Sequence, residues 1–168
     1  MLGPTSMPYS LIQLSCEQTT DIAQSRHPTG LASTIEDEAL PPPFVAHRSL
    51  AQIAQAKSAY WCATFLIIRN ADNTVIGGCG FKSEPIAGRV EIGYGIAPSC
   101  RRQGAASQAV TALLALAYAG GATEILAEIL PDNFASAEVV RRLGFIDKGR
   151  RVDEAGDLVV LWVASKTS

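Results

Sequence analysis

One twenty-residue stretch restricts what this chain can fold into more than any other: Val90 to Ala109, VEIGYGIAPSCRRQGAASQA. Its first half alternates. Val90, Ile92, Tyr94 and Ile96 fall on one side of an extended strand, and Glu91, Gly93, Gly95 and Ala97 fall on the other. The first set predicts a core face. The second is bare apart from one carboxylate, as suits a surface that a long ligand approaches closely. Arg101 to Ser107 then turns into a helix, with Gly104, Ala105 and Ala106 where larger side chains would keep an anion out. At such a start the unpaired N–H groups and the positive end of the helix dipole point outward together, which favours a phosphate.

With 168 residues the chain is long enough to bury a sizeable core, and one domain spanning 1–168 is expected. A hydrophobic content of 48% against 18% charged residues excludes a disordered chain. The net charge of −2 gives no footing for nucleic acid. Cys16, Cys62, Cys79 and Cys100 are scattered, and only His27 and His47 stand beside them as ligand types. No metal site is expected from that spacing, and free thiols in a reducing, cytoplasmic setting are. The first fifteen residues hold no Lys or Arg and no long apolar run, so no secretory leader is expected. The longest apolar stretch breaks at Gly120-Gly121, short of a membrane span, so no membrane partner is expected either.

Periodicity and turn residues predict the order β-α-β-β-β-α-β-α-β-β, a mixed sheet with helices on its faces. The strands are expected at Tyr9–Leu14, Trp61–Arg69, Val75–Lys82, Arg89–Ala97, Ile125–Leu130, Phe145–Val152 and Leu158–Ala164. Helices are expected at Phe44–Ser58, Gly104–Ala119 and Phe134–Leu143, the last closed by Gly144. In the first of them Phe44, Leu50, Ile53 and Ala54 share a side. Asp21 to Pro43 reads as irregular, with the acidic run Glu36-Asp37-Glu38 and the stop Pro41-Pro42-Pro43. Gly77, Gly78 and Gly80 lack the spacing of a nucleotide loop and mark a bulge or close packing.

Three motifs carry a resemblance. Arg101-Arg102-Gln103-Gly104-Ala105-Ala106 resembles the Gln/Arg-x-x-Gly-x-Gly/Ala signature with which GNAT N-acetyltransferases bind the pyrophosphate of acetyl-CoA. Asn133-Phe134-Ala135-Ser136, followed by Leu143-Gly144-Phe145, is similar to the family's Asn-x-x-Ser and Leu-Gly-Phe. Glu91-Ile92-Gly93-Tyr94 resembles the branch of ribosomal-protein N-terminal acetyltransferases. The resemblance implies an α/β (α+β) fold: a mixed, mostly antiparallel sheet of six to seven strands flanked by about four helices. It implies acetyl-CoA as cosubstrate, no metal, an amine acceptor that attacks the thioester directly, and a homodimer as one assembly. A CoA-binding module without turnover is the other reading left open.

The resemblance also distributes roles. The loop Arg101, Arg102, Gln103, Gly104, Ala105, Ala106 and Ser107 would hold the pyrophosphate, and Asn133 would touch the pantetheine or else serve as a turn residue. The backbone at Ile96 and Ala97, where the strand splays from its neighbour, would offer the oxyanion a donor. Glu91 reads as a general base, through a water if distant, or as a strand carboxylate that pairs with a cation or orients the amine. The tyrosine that many relatives place seven residues after the asparagine is Val140 here. Ser136 is its substitute as acid, or a helix N-terminal serine bonding backbone N–H groups. Glu128 is a second carboxylate facing cleft or solvent. Arg141, Arg142, Lys148, Arg150 and Arg151 form either a solvated face or a 3′-phosphate contact. The acidic run is solvated or attracts a cationic amine.

Overall fold

The alternation in the Val90 stretch sets the centre of the sheet. In the computed structural model, which describes residues 7–166, β5 (Arg89–Ile96) lies between β4 (Thr74–Phe81) and β6 (Glu124–Ile129). The sheet runs β1 (Tyr9–Gln13), β3 (Thr64–Arg69), β4, β5, β6, β8 (Leu158–Ser165), β7 (Ile146–Val152). An eighth strand, β2 (Thr34–Ile35), pairs in parallel with the start of β4. All other pairings are antiparallel except β5–β6. The mixed, mostly antiparallel sheet is as expected, with β2 as the addition. The opening residues, where no leader is expected, and the outer ends of the expected 1–168 domain lie partly outside the described residues.

Among the described residues, five α-helices flank the sheet. α1 (Cys16–Ala23) reaches into a segment expected to be irregular. Its signal was present: Ser15 and Gln18 form a reciprocal capping box, each side chain bonded to the other's backbone N–H. Asp21 then accepts bonds from the Thr29 N–H at 2.8 Å and hydroxyl at 2.7 Å, which holds the following loop against α1. α2 (Pro43–Ala54) begins at the proline run and ends earlier than expected. Phe44 does not join its inner face and is 66% exposed, while Ala46 and Ser49 are buried. The expected start of β3 is instead α3 (Ala59–Cys62), capped by Ser58. The Tyr60 hydroxyl donates to the Leu116 carbonyl at 2.6 Å, and the Trp61 ring meets Phe81 edge-on at 4.9 Å. Those tertiary contacts override the β-propensity of the two aromatics.

α4 (Ala105–Ala119) turns Ala105, Ala109, Val110, Leu113 and Ala117 into the core against β1, β4 and β5. α5 (Phe134–Arg142) follows β6 and buries Val140 completely. Leu66, Ile76, Val90, Val110 and Ile125 fill the centre with essentially no exposure.

One irregularity positions everything below. The parallel β5–β6 pairing lasts three residues, from Arg89 opposite Glu124 to Glu91 opposite Leu126. Beyond that point the two strands part.

Candidate functional site

The parting of β5 and β6 exposes backbone. Along the β4 edge of β5, the Ala97 N–H donates to the Ile76 carbonyl at 2.7 Å, and the Lys82 N–H donates to the Glu91 carbonyl at 2.8 Å. Antiparallel pairing alternates, so the odd-numbered residues of β5 bond to β4 and the N–H groups of Tyr94 and Ile96 face the other way. With the β6 register ending opposite Glu91, those two donors have no strand partner. The Ile96 N–H is therefore left without a strand partner among the described residues, whereas the Ala97 N–H, expected as a donor beside it, is already used by β4.

At the foot of β5 a short 3₁₀ turn (Pro98–Cys100) leads into the phosphate-type loop. Gly104 is the N-cap of α4 with φ +85°, a left-handed conformation natural to glycine. It offers no side-chain cap, so the first-turn N–H groups of Ala105, Ala106 and Ser107 have no acceptor among the described residues. A Cβ built on Gly104 would meet no atom within 4 Å. That is an open cradle ringed by donors, and it fits a phosphate. The Gln103 carbonyl accepts from the Tyr9 hydroxyl at 3.0 Å, pinning the loop to β1. Arg102 takes φ +64° and is exposed beside the cradle. Arg101 does something else. Its Nε donates to the Ile96 carbonyl at 3.1 Å, and its side chain lines a cavity on the bare face of β5.

That cavity measures about 380 Å³. Its floor is two facing pairs of glycines, Gly78 opposite Gly95 and Gly80 opposite Gly93. The β4 glycines thus serve close packing: a Cβ on Gly78 would press Pro41 Cγ at 2.9 Å. The cavity walls include Phe44 and Arg48 of α2 and Lys82. Glu91 is not part of the wall. Directly across the strands its Oε2 lies 2.5 Å from Lys82 Nζ as an ion pair, and Oε2 is otherwise shielded from solvent. Of the alternatives open to Glu91, its contact is with a cation.

The hydroxyls converge across the parting of the strands. Ser136 Oγ lies 2.6 Å from the Tyr94 hydroxyl, which also reaches the Ser136 carbonyl at 3.3 Å. Burial pushes the Tyr94 phenol above its ordinary value, with the Ser136 bond acting in the opposite direction. Ser136 is not the helix cap. That position belongs to Asn133, whose Oδ1 accepts from the Ser136 N–H at 3.2 Å. Val140 is fully buried in the core. The alternation of β5 puts Tyr94 on the expected core face, and nothing in its own stretch signals a partner 42 residues away.

Other expectations resolve into ion pairs. Glu128 accepts from Arg151 Nε at 2.8 Å, and Arg141 and Arg142 both close on Glu138. Those two guanidiniums pull the Glu138 carboxyl down to about 2. Glu36 pairs with Arg69 at 3.5 Å, so of the acidic run only Glu38 reaches the cavity. Among the described residues no three His, Cys, Asp or Glu side chains gather as a metal site, and no helix is long and apolar enough to cross a membrane.

The family model described as "Acetyltransferase (GNAT) domain" matches residues 22–146. No curated protein sequence matches the chain. Among solved structures, a ribosomal-protein-S5-alanine acetyltransferase from Vibrio fischeri superposes with a TM-score of 0.67 at 16% identity, covering 98% of this chain and 97% of that one. RimJ of Mycobacterium smegmatis, in complex with CoA-disulfide, gives 0.64 at 17% identity over 94% and 81%. A spermidine N-acetyltransferase chimera from Vibrio cholerae and hSSAT gives 0.67 at 15% over 95% and 96%.

Proposed function

The chain belongs to the GNAT acetyltransferase family, and from that premise we propose that it is a single-domain enzyme that acetylates a primary amine of the α-amino type. The observation that carries this reading is the open, donor-ringed cradle at Gly104 beside a strand whose Tyr94 and Ile96 N–H groups have no strand partner. Acetyl-CoA, as cosubstrate, supplies an acetyl group on a thioester and leaves as the thiol. The residues suited to hold it are Gly104, Ala105, Ala106 and Ser107 through their backbone, with Arg102 adding charge. The Ile96 N–H is suited to an oxyanion, where one such donor contributes ~3–4 kcal/mol in other acyl-transfer sites.

Direct attack, with no acyl-enzyme, is supported by the one thiol in the cavity wall. Burial pushes Cys79 up to about 12, which keeps it protonated and a poor nucleophile near neutrality. An α-amine also needs little help. Its pKa of about 7.7–8.0 makes deprotonation at pH 7 cost only ~1 kcal/mol, against ~4–5 kcal/mol for lysine. The ribosomal-protein enzymes among the structural neighbours suggest a protein N-terminus as one such acceptor.

Glu91 is proposed to position Lys82 on the cavity wall, a role the 2.5 Å pair supports. Glu91→Gln should then lower turnover by less than the ~10²-fold that general-base catalysis supplies. The loss should be the same on both sides of the acceptor's pKa, between about pH 6.5 and 9. A rate profile whose loss deepens as pH falls would make Glu91 the base instead.

The whole reading is tested by thermal shift and thiol release. Acetyl-CoA and desulfo-CoA should both raise the melting temperature, since a ligand of the native state stabilises it by mass action. Thiol release should appear with some members of a panel of amines and peptides, read by mass spectrometry. Binding without release across that panel would leave a CoA-binding module, and no shift at millimolar ligand would remove the CoA assignment.

A further inference from the structure

The cavity on the bare face of β5, which we take as the place of the acceptor, carries an unanswered charge. Arg48, Lys82 and Arg101 line it, against the single exposed carboxylate of Glu38. Two of the three cations are engaged, Lys82 with Glu91 and Arg101 with the Ile96 carbonyl. Arg48 is half-buried, and its guanidinium has no hydrogen bond and no ion pair to any of the described residues. Burial lowers its pKa, with the charge of Glu91 acting in the opposite direction. A guanidinium offers five N–H donors in a planar fork that matches a carboxylate, and polar groups drawn out of water are ordinarily matched by a partner. No described side chain fills that role.

We propose that Arg48 binds a carboxylate carried by the acceptor, so that the substrate is a primary amine with a carboxylate only a few bonds from the reacting nitrogen. This rests on the acetyltransferase reading. Two sources present that chemistry: the α-carboxylate of a free amino acid, and an acidic side chain next to a peptide's N-terminus. Arg101, whose partner is a neutral carbonyl, adds a second positive charge at the same cavity, while Lys82 is answered by Glu91. A polyamine meets repulsion there.

The experiment compares matched acceptors with acetyl-CoA as donor. One arm sets free L-amino acids against their primary amides. The other sets the peptide amide Ala-Glu-Ala against Ala-Gln-Ala. Rates are expressed per unit of unprotonated amine, because the amide shifts the amine's own pKa. The acid should exceed its neutral partner in kcat/KM by ~10–100-fold in one arm, the range of a hydrogen bond to a charged group, and that arm identifies the source. In Arg48→Gln the ratio should fall to about one, and in Arg48→Glu it should invert. Retained stabilisation by acetyl-CoA shows that each variant is folded; Arg48→Lys, which keeps the charge without the fork, should retain part of the preference. Equal rates for acid and amide in both arms, or a preference that survives Arg48→Gln, overturns the inference and leaves the acetyltransferase reading standing. Thiol release with no amine at all overturns that reading, and the inference with it.

Discussion

Gly104→Glu is expected to abolish acetyl-CoA binding in a protein that still folds. The left-handed φ of +85° disfavours any side chain, at ~1–2 kcal/mol, which is small beside the ~5–15 kcal/mol of a typical domain. Packing adds nothing to that, because the new Cβ meets no atom within 4 Å. The ligand feels the change fully. A carboxylate in the cradle takes the N–H groups of Ala105, Ala106 and Ser107 for itself and repels the phosphates. Losing two such charge-assisted bonds, at ~1.5–3 kcal/mol each, predicts a loss of ~10²–10⁴-fold. Titration calorimetry should find no binding at millimolar acetyl-CoA, with circular dichroism unchanged. Gly104→Ala, which fills the cradle without charge, should fall between. Unchanged affinity in Gly104→Glu would show that the phosphates bind elsewhere.

The second large effect is expected at the hydroxyl pair. Tyr94→Phe and Ser136→Ala should each lower kcat by ~10–100-fold at roughly unchanged acetyl-CoA affinity, below the usual ~10²–10⁴-fold of general acid catalysis. The smaller figure follows from the phenol itself. Burial raises its pKa, so it holds its proton more tightly than a departing thiolate does, and its help is a hydrogen bond more than a full proton transfer. Since the two hydroxyls share one bond, the double variant should lose little more than either single one. Val140→Tyr should not rescue Ser136→Ala: the position has no exposure, and a ring there overpacks the core at ~1–3 kcal/mol. Wild-type turnover in Tyr94→Phe would remove the pair from the mechanism. A lower melting temperature with normal turnover in Ser136→Ala would leave the serine a structural role in the first turn of α5.

The strand, loop and helix from Val90 to Ala119 were legible because their signals are local: a two-residue alternation, a glycine in the turn, an apolar helix. α1 was legible too, through Ser15 and Gln18, but the turn-forming residues after it masked the box. α3 was not. Its aromatics favour a strand until Leu116 and Phe81 are beside them. The site divides in the same way. The backbone feature at Gly104 follows from local sequence, whereas the Ile96 donor comes from the resemblance, and it and the side-chain partners depend on register and packing. Lys82 faces Glu91 only once the β4–β5 hairpin is aligned. Tyr94 finds Ser136, and Arg48 its cavity, only when separate elements have docked.

The glycine floor has a consequence for how this molecule can change over evolutionary time. Its four positions are not equivalent. Gly78 is trapped beneath Pro41, so a mutation there disturbs the fold before it touches substrate choice. Gly95 lies in the same floor with no atom within 4 Å of where a side chain would begin. A carbon added at Gly95 therefore removes room from the acceptor without pressing on any neighbour. Selection for smaller substrates has a path through that single codon that leaves folding almost untouched, and relaxation back to larger ones is equally short.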